Sequence, residues 1–238
     1  MVIAVFASLN VNDALKSALC CLVAVALSRT KPVCIVDADG GVSKIFRVEG
    51  DAGLGDHNDE LRLRDVVLEI EVEEIWPTDK SFLGGGVKPR LWIVPRGSGK
   101  IDAKKLAEVI MLLNSFVDVL VDIPSSKLHE YNNLLRRADF AFWLADPCSN
   151  GANSIFSLIS GWKKEYVLLL IRELSSCEKE KQHWQLNSNN VFELEFDSTF
   201  KLLLKSPEKA LRKMKRVTAK RIEELAEYFI SSIGVNYG

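Results

Sequence analysis

Gly97, Ser98, Gly99 and Lys100 stand between an apolar run, LWIV from Leu91, and a helical pattern from Ile101. Side-chain-free backbone at a helix entrance can aim successive N–H groups at an anion. The GxxxxGK[ST] spacing of a phosphate loop is absent and Lys100 is followed by Ile101, so no phosphate loop is expected here and an anion site is the minor alternative. Gly84, Gly85 and Gly86 lead into a strand instead and read as a flexible loop. Toward the C-terminus, Lys205, Lys209, Arg212, Lys213, Arg216 and Lys220 share a helical phase, while Leu211, Met214, Ile222, Leu225 and Phe229 fall on another. One face is basic and the other packs inward. The basic face is either simply solvated or meets nucleic-acid phosphates. Cys20, Cys21, Cys34, Cys148 and Cys177 form no CxxC pair, and His57, His129 and His183 stand far apart. That spacing excludes a zinc module and fits buried or free thiols in a reducing compartment.

These residues must be carried by a framework, and the framework is legible as alternation. Short apolar runs begin at Val2, Val33, Leu91, Val117, Phe140, Tyr166 and Val191. Helical patterns lie between them at residues 13–28, 61–69, 101–114, 127–137, 153–162 and 207–232, the last with a break. Strands apolar on both faces, interleaved with helices, predict an α/β fold: a doubly wound, mostly parallel sheet of about seven strands with helices on both faces. Ala18 to Leu27 leave the first helix no polar face, so it is expected to be enclosed on all sides. Residues 40–60 and 175–190 read as irregular loops. With 238 residues, 47% of them hydrophobic, and no internal break in composition, one domain over 1–238 is expected. The apolar runs are too short to span a bilayer, and a cytoplasmic location follows as the expectation.

Taken in order, the segments resemble the ParA/MinD family of deviant P-loop ATPases over about nine-tenths of the chain. VDAD at Val36 to Asp39 resembles the family's first switch, and RLWIVPRGSG its strand ending in Pro and Gly. VDVLVDIPSS is similar to the Walker B strand, FAFWLADPCSNGANS to the next strand, and VFELEFDSTFKLLLKSPEKA to the late segment. The resemblance implies the P-loop NTPase fold, with ATP at the carboxyl ends of the central strands. It places Asp37 and Asp39 on the switch DxD and Asp122 on the carboxylate that holds the Mg²⁺ shell. In an active relative one DxD carboxylate helps orient the attacking water. Read from the residues alone, all three aspartates have another use, satisfying backbone donors in the turn after a buried strand.

The same resemblance marks a departure. The family's KGGxGK[ST] loop depends on glycine so that backbone can wrap the phosphates, whereas ASLNVNDALKSA, Ala7 to Ala18, has none. Lys16 and Ser17 imitate the closing pair, but a helix capped by Asn12 or Asp13 puts Lys16 about a turn inside it. The Asp13 carboxylate would then lie where a phosphate needs the helix N-terminus. Leu170, Ile171 and Arg172 replace the family's Asn-Arg pair that reads adenine. The expectation is a degenerate, non-hydrolysing relative with no cofactor, acting on a protein partner, as a homodimer or on non-specific DNA, without membrane insertion. The alternative is an ATPase of the partitioning or positioning class using ATP and Mg²⁺, with Lys16, Ser17, Asp37, Asp39 and Asp122 around an altered loop. A third reading is a cofactor-biosynthesis relative that binds another small ligand.

Overall fold

The computed structural model describes residues 1–9, 12–48, 52–56, 63–71, 90–145, 162, 164–172, 190–195, 197–203, 205–206, 209–210 and 213–234. Its centre is an eight-stranded sheet in the order β3-β4-β2-β5-β1-β6-β7-β8. The strands are β1 (Ile3–Leu9), β2 (Val33–Asp37), β3 (Leu68–Ile70), β4 (Leu91–Val94), β5 (Asp118–Asp122), β6 (Phe140–Ala145), β7 (Glu165–Arg172) and β8 (Val191–Glu195). All pairings are parallel except β3 with β4. β1 lies between β5 and β6, as its doubly apolar sequence requires.

Two apolar layers cover the sheet. On one face, α1 (Asp13–Ser28) and α7 (Arg216–Gly234) cover Phe6, Phe140 and Phe142, with Phe6 and Phe142 stacked at 4.2 Å and Phe229 of α7 packed against Phe140 and Phe142. Every residue of α1 from Lys16 to Ser28 is buried, the enclosure its sequence predicts. On the other face, α4 (Ala103–Leu113) and α5 (Asn132–Arg137) cover Val5, Val36, Val121 and Trp143. Asp102 caps α4 by accepting from the Lys104 N–H.

Several elements differ from the sequence expectations. The helix expected over 61–69 shrinks to α3 (Leu63–Val66), because Leu68 to Ile70 pair with the edge of β4 and make an eighth strand. Edge pairing in the tertiary fold overrides the helical pattern. Within the supposedly irregular 40–60 stretch, α2 (Gly41–Phe46) forms between left-handed Gly40 and Arg47. The 127–137 helix divides into a 3₁₀ segment, Ser125–Tyr131, and α5. At the C-terminus α6 (Thr199–Leu203) precedes α7, which starts at Arg216. Asp197 ties this break together, accepting from Thr199 N and Oγ1, Lys215 N and Thr218 Oγ1. Gly84 to Gly86, the helix expected over 153–162 except Trp162, and nearly all of the 175–190 loop lie outside the described residues. Among the described residues no helix is long and apolar enough to cross a membrane.

Candidate functional site

The carboxyl ends of β1, β2 and β5 converge on one lysine. Asn12 caps α1 through the Ala14 N–H, which makes Lys16 the fourth residue of the helix and turns it toward the sheet. Its side chain is fully buried. The Lys16 ammonium donates to the Ile123 carbonyl at 2.6 Å and to Asp39 Oδ2 at 3.1 Å. Asp122 Oδ1 lies 2.8 Å away as an ion-pair contact without hydrogen-bond alignment, and Asp13 Oδ1 lies at 3.7 Å. Ser17 Oγ donates to the other Asp122 oxygen at 2.5 Å. Gly41 is needed beside it, since a Cβ there would sit 2.2 Å from Ser17 Oγ.

Asp13 fills the mouth of the cluster. Its carboxylate accepts from the hydroxyls of Ser8, at the end of β1, and Ser125, after β5, and those hydroxyls touch each other. Asp37 turns the other way: it accepts from the backbone N–H groups of Asp39, Gly40 and Ser43 and from Ser43 Oγ, fixing the turn into α2. The structure therefore brings Lys16, Ser17, Asp39 and Asp122 together and employs Asp37 as a turn anchor. Ser8, Ser125 and the Ile123 carbonyl also belong to the cluster. Sequence reading passed over them, and their one signal was position immediately after an apolar strand.

Burial sets the electrostatics. It pushes the Asp122 carboxyl up to about 7, against the opposing pull of Lys16 and Ser17. It pushes Asp37 up as well, against the Ser43 and Gly40 donors. Desolvation works to lower Lys16, but the charges of Asp122, Asp39 and Asp13 outweigh it and hold the ammonium above its usual range. A carboxyl with a raised folded-state pKa stabilises fully below its unfolded value, and that contribution is lost as pH rises through the folded one. Between about pH 4 and pH 7, Asp122 is ionised in the unfolded chain but still protonated in the folded one, so stability should fall as pH rises, by at most about 4 kcal/mol at 1.36 kcal/mol per unit. Denaturant unfolding of the wild type and Asp122→Asn across that range should show the difference shrinking toward acid; parallel curves would contradict it.

The C-terminal basic residues keep solvent: Lys205, Lys209, Lys213, Arg216 and Lys220 are exposed, while Ala210, Ile222, Leu225 and Phe229 are buried. Lys220 also pairs with Glu224 at 3.7 Å. Arg212 and Leu211 lie outside the described residues, as does the Arg172 side chain. Among the described residues no group of three or more His, Cys, Asp or Glu could hold a metal ion.

No family model matches the sequence, and no curated protein matches it. Solved structures do. The MinD cell division protein of Aquifex aeolicus, also solved in complex with MinC, is similar at 18% identity and a TM-score of 0.68, covering 97% of each chain. The septum site-determining protein MinD of Pyrococcus horikoshii, solved with Mg-ADP, is similar at 17% identity and a TM-score of 0.66, covering 98% of this chain and 97% of that one. A ParA family ATPase from Chlorobium tepidum is similar at 19% identity and a TM-score of 0.60, covering 94% of this chain and 97% of that one. With parallel strands in the order described, Asp37 and Asp122 ending adjacent strands, and likeness over nearly the whole length of these proteins, the chain has the fold of the ParA/MinD P-loop ATPases.

Proposed function

We propose that this protein is a non-hydrolysing ParA/MinD-like protein that acts by binding a partner, with its nucleotide site closed by its own side chains. The observation that carries this reading is the enclosure of the Lys16 ammonium by the chain's own oxygens. Two of its three N–H donors go to the Ile123 carbonyl and Asp39, and an Asp122 oxygen faces it at 2.8 Å as an ion-pair contact. A triphosphate would have to displace them. It would also have to displace Asp13, a negative charge held at the helix entrance by two serine hydroxyls. The residues present do not fit ATP and Mg²⁺: the ammonium is committed, and the Ser17 hydroxyl is spent directly on Asp122. Calorimetric titration with ATP and Mg²⁺ tests this, with no saturable heat expected at micromolar protein. Micromolar affinity would promote the alternative, an active ATPase of the partitioning or positioning class.

The partner is a protein, a second copy of the chain, or DNA. The complex of the Aquifex MinD with MinC supports a protein partner by analogy of fold. Non-specific DNA is favoured by a separate observation, the exposure of the basic residues Lys205, Lys209, Lys213, Arg216 and Lys220. Phosphate contacts release counterions, so such binding should weaken steeply with salt and ignore sequence. Replacing Lys209, Arg212 and Arg216 with Glu should abolish mobility shifts of duplex DNA. If the shifts survive, the basic face is only a solvated surface.

A further inference from the structure

We infer that the loop Gly97 to Gly99 is an oxyanion site of a size for a phosphate group, which Asp56 occupies from within the chain. The Asp56 carboxylate accepts from Ser98 N at 3.0 Å, Ser98 Oγ at 2.7 Å, Gly99 N at 3.1 Å and Gly53 N at 3.1 Å. The Gly53 donor belongs to the same short loop as Asp56. The other three belong to the connection between β4 and α4, a different segment of the chain.

The approach of the two loops depends on missing side chains. Gly97 is left-handed with φ 69°, and a Cβ on it would lie 2.0 Å from Asp56 Oδ2. A Cβ on Gly99 would lie 1.8 Å from the Gly55 carbonyl oxygen. A left-handed glycine followed by converging N–H groups is the geometry of an anion-binding nest. These donors hold the Asp56 carboxyl below its usual range, the Ser98 hydroxyl contributing most. They serve an anion, whichever anion supplies the charge.

Position also favours a ligand. The loop leaves the carboxyl end of β4, beside β2, where open α/β sheets bind their ligands. Its backbone is anchored to α2 by Arg96 N, which donates to Ser43 Oγ. Lys100 is exposed and supplies a cation next in the chain. A phosphate group offers oxygens enough for all three donors and a charge for Lys100. The site is separate from the Lys16 cluster and holds whether or not that cluster is closed to nucleotide.

The test is a titration of the ¹⁵N-labelled full-length chain with sodium phosphate at constant ionic strength, reading the backbone amides of Ser98 and Gly99. Asp56→Ala should give saturable shifts at both, with a midpoint at least tenfold lower than the wild type. In the wild type the Gly53 amide should move with the same midpoint as Ser98, because phosphate must eject the Asp56 loop. Asp56→Asn keeps the side-chain shape without the charge and serves if the alanine variant does not fold. A parallel titration with glycerol phosphate separates the two sources: saturation assigns the site to phosphate monoesters, and its absence to free phosphate. Equal midpoints in wild type and variants, or shifts that sodium chloride reproduces, would overturn the proposal.

Discussion

Replacing Lys16 with methionine is expected to lower the free energy of unfolding by about 3–5 kcal/mol, the range found when one partner of a buried ion pair is removed. The side chain is fully buried, and its ammonium is the cation in contact with Asp122, which is itself fully buried. Methionine fills a similar volume but leaves the Asp122 carboxylate without its charge partner, and takes the donors from Asp39 and the Ile123 carbonyl. The loss should be largest near pH 8. Toward pH 5 the orphaned carboxyl takes up a proton, because burial already holds it at about 7 with Lys16 present and removing the cation drives it higher. Urea unfolding at both values checks the size and the pH trend. A midpoint unchanged at pH 8 would show Lys16 to be free for a ligand, as a phosphate-binding lysine is.

The wild-type protein is expected to bind ATP too weakly for calorimetry at micromolar concentration and to leave it unhydrolysed. A phosphate loop offers several charge-assisted hydrogen bonds from backbone N–H groups, each worth about 1.5–3 kcal/mol. Without glycine between Ala7 and Ala18, the chain lacks the residue type that lets successive N–H groups wrap a phosphate. Losing three such bonds costs roughly 4–9 kcal/mol, and each 1.4 kcal/mol is tenfold in affinity. Asp13 adds repulsion at the entrance, where its carboxylate is held in place by Ser8 and Ser125. Leu170 and Ile171 are buried and apolar where an adenine-reading amide would be needed. A steady ATPase rate that disappears in Lys16→Ala would overturn the reading.

These two expectations separate stability from ligand binding at one residue. If Lys16 is an internal counter-ion, its removal destabilises the protein and changes no ligand affinity. If it is a phosphate ligand, the reverse holds.

The sequence by itself determined the layering. Doubly apolar runs at Val2, Val33 and Phe140 had no exposed face to offer, so they could only be central parallel strands. The unbroken apolar surface of Ala18 to Leu27 likewise left α1 no place except between sheet and helices. It also showed the missing glycines and the candidate charges, because both are properties of residue type at a position. Tertiary structure decided where those charges went. Asp37 and Asp39 are two residues apart and were equivalent in sequence, yet one accepts four bonds from the turn into α2 and the other meets Lys16. That division depends on how α2 packs over the end of β2, a contact no local pattern encodes. β3 was hidden because three residues carry too little alternation to outweigh a helical neighbourhood, and only the free edge of β4 recruits them. Asp56 in the Gly97 to Gly99 loop, and Ser8 with Ser125 around Asp13, join residues 43 and 117 positions apart. Hydrogen bonds across such separations exist only after the strands have brought their ends together, so the sequence supplied the donors and acceptors and the fold chose the partners.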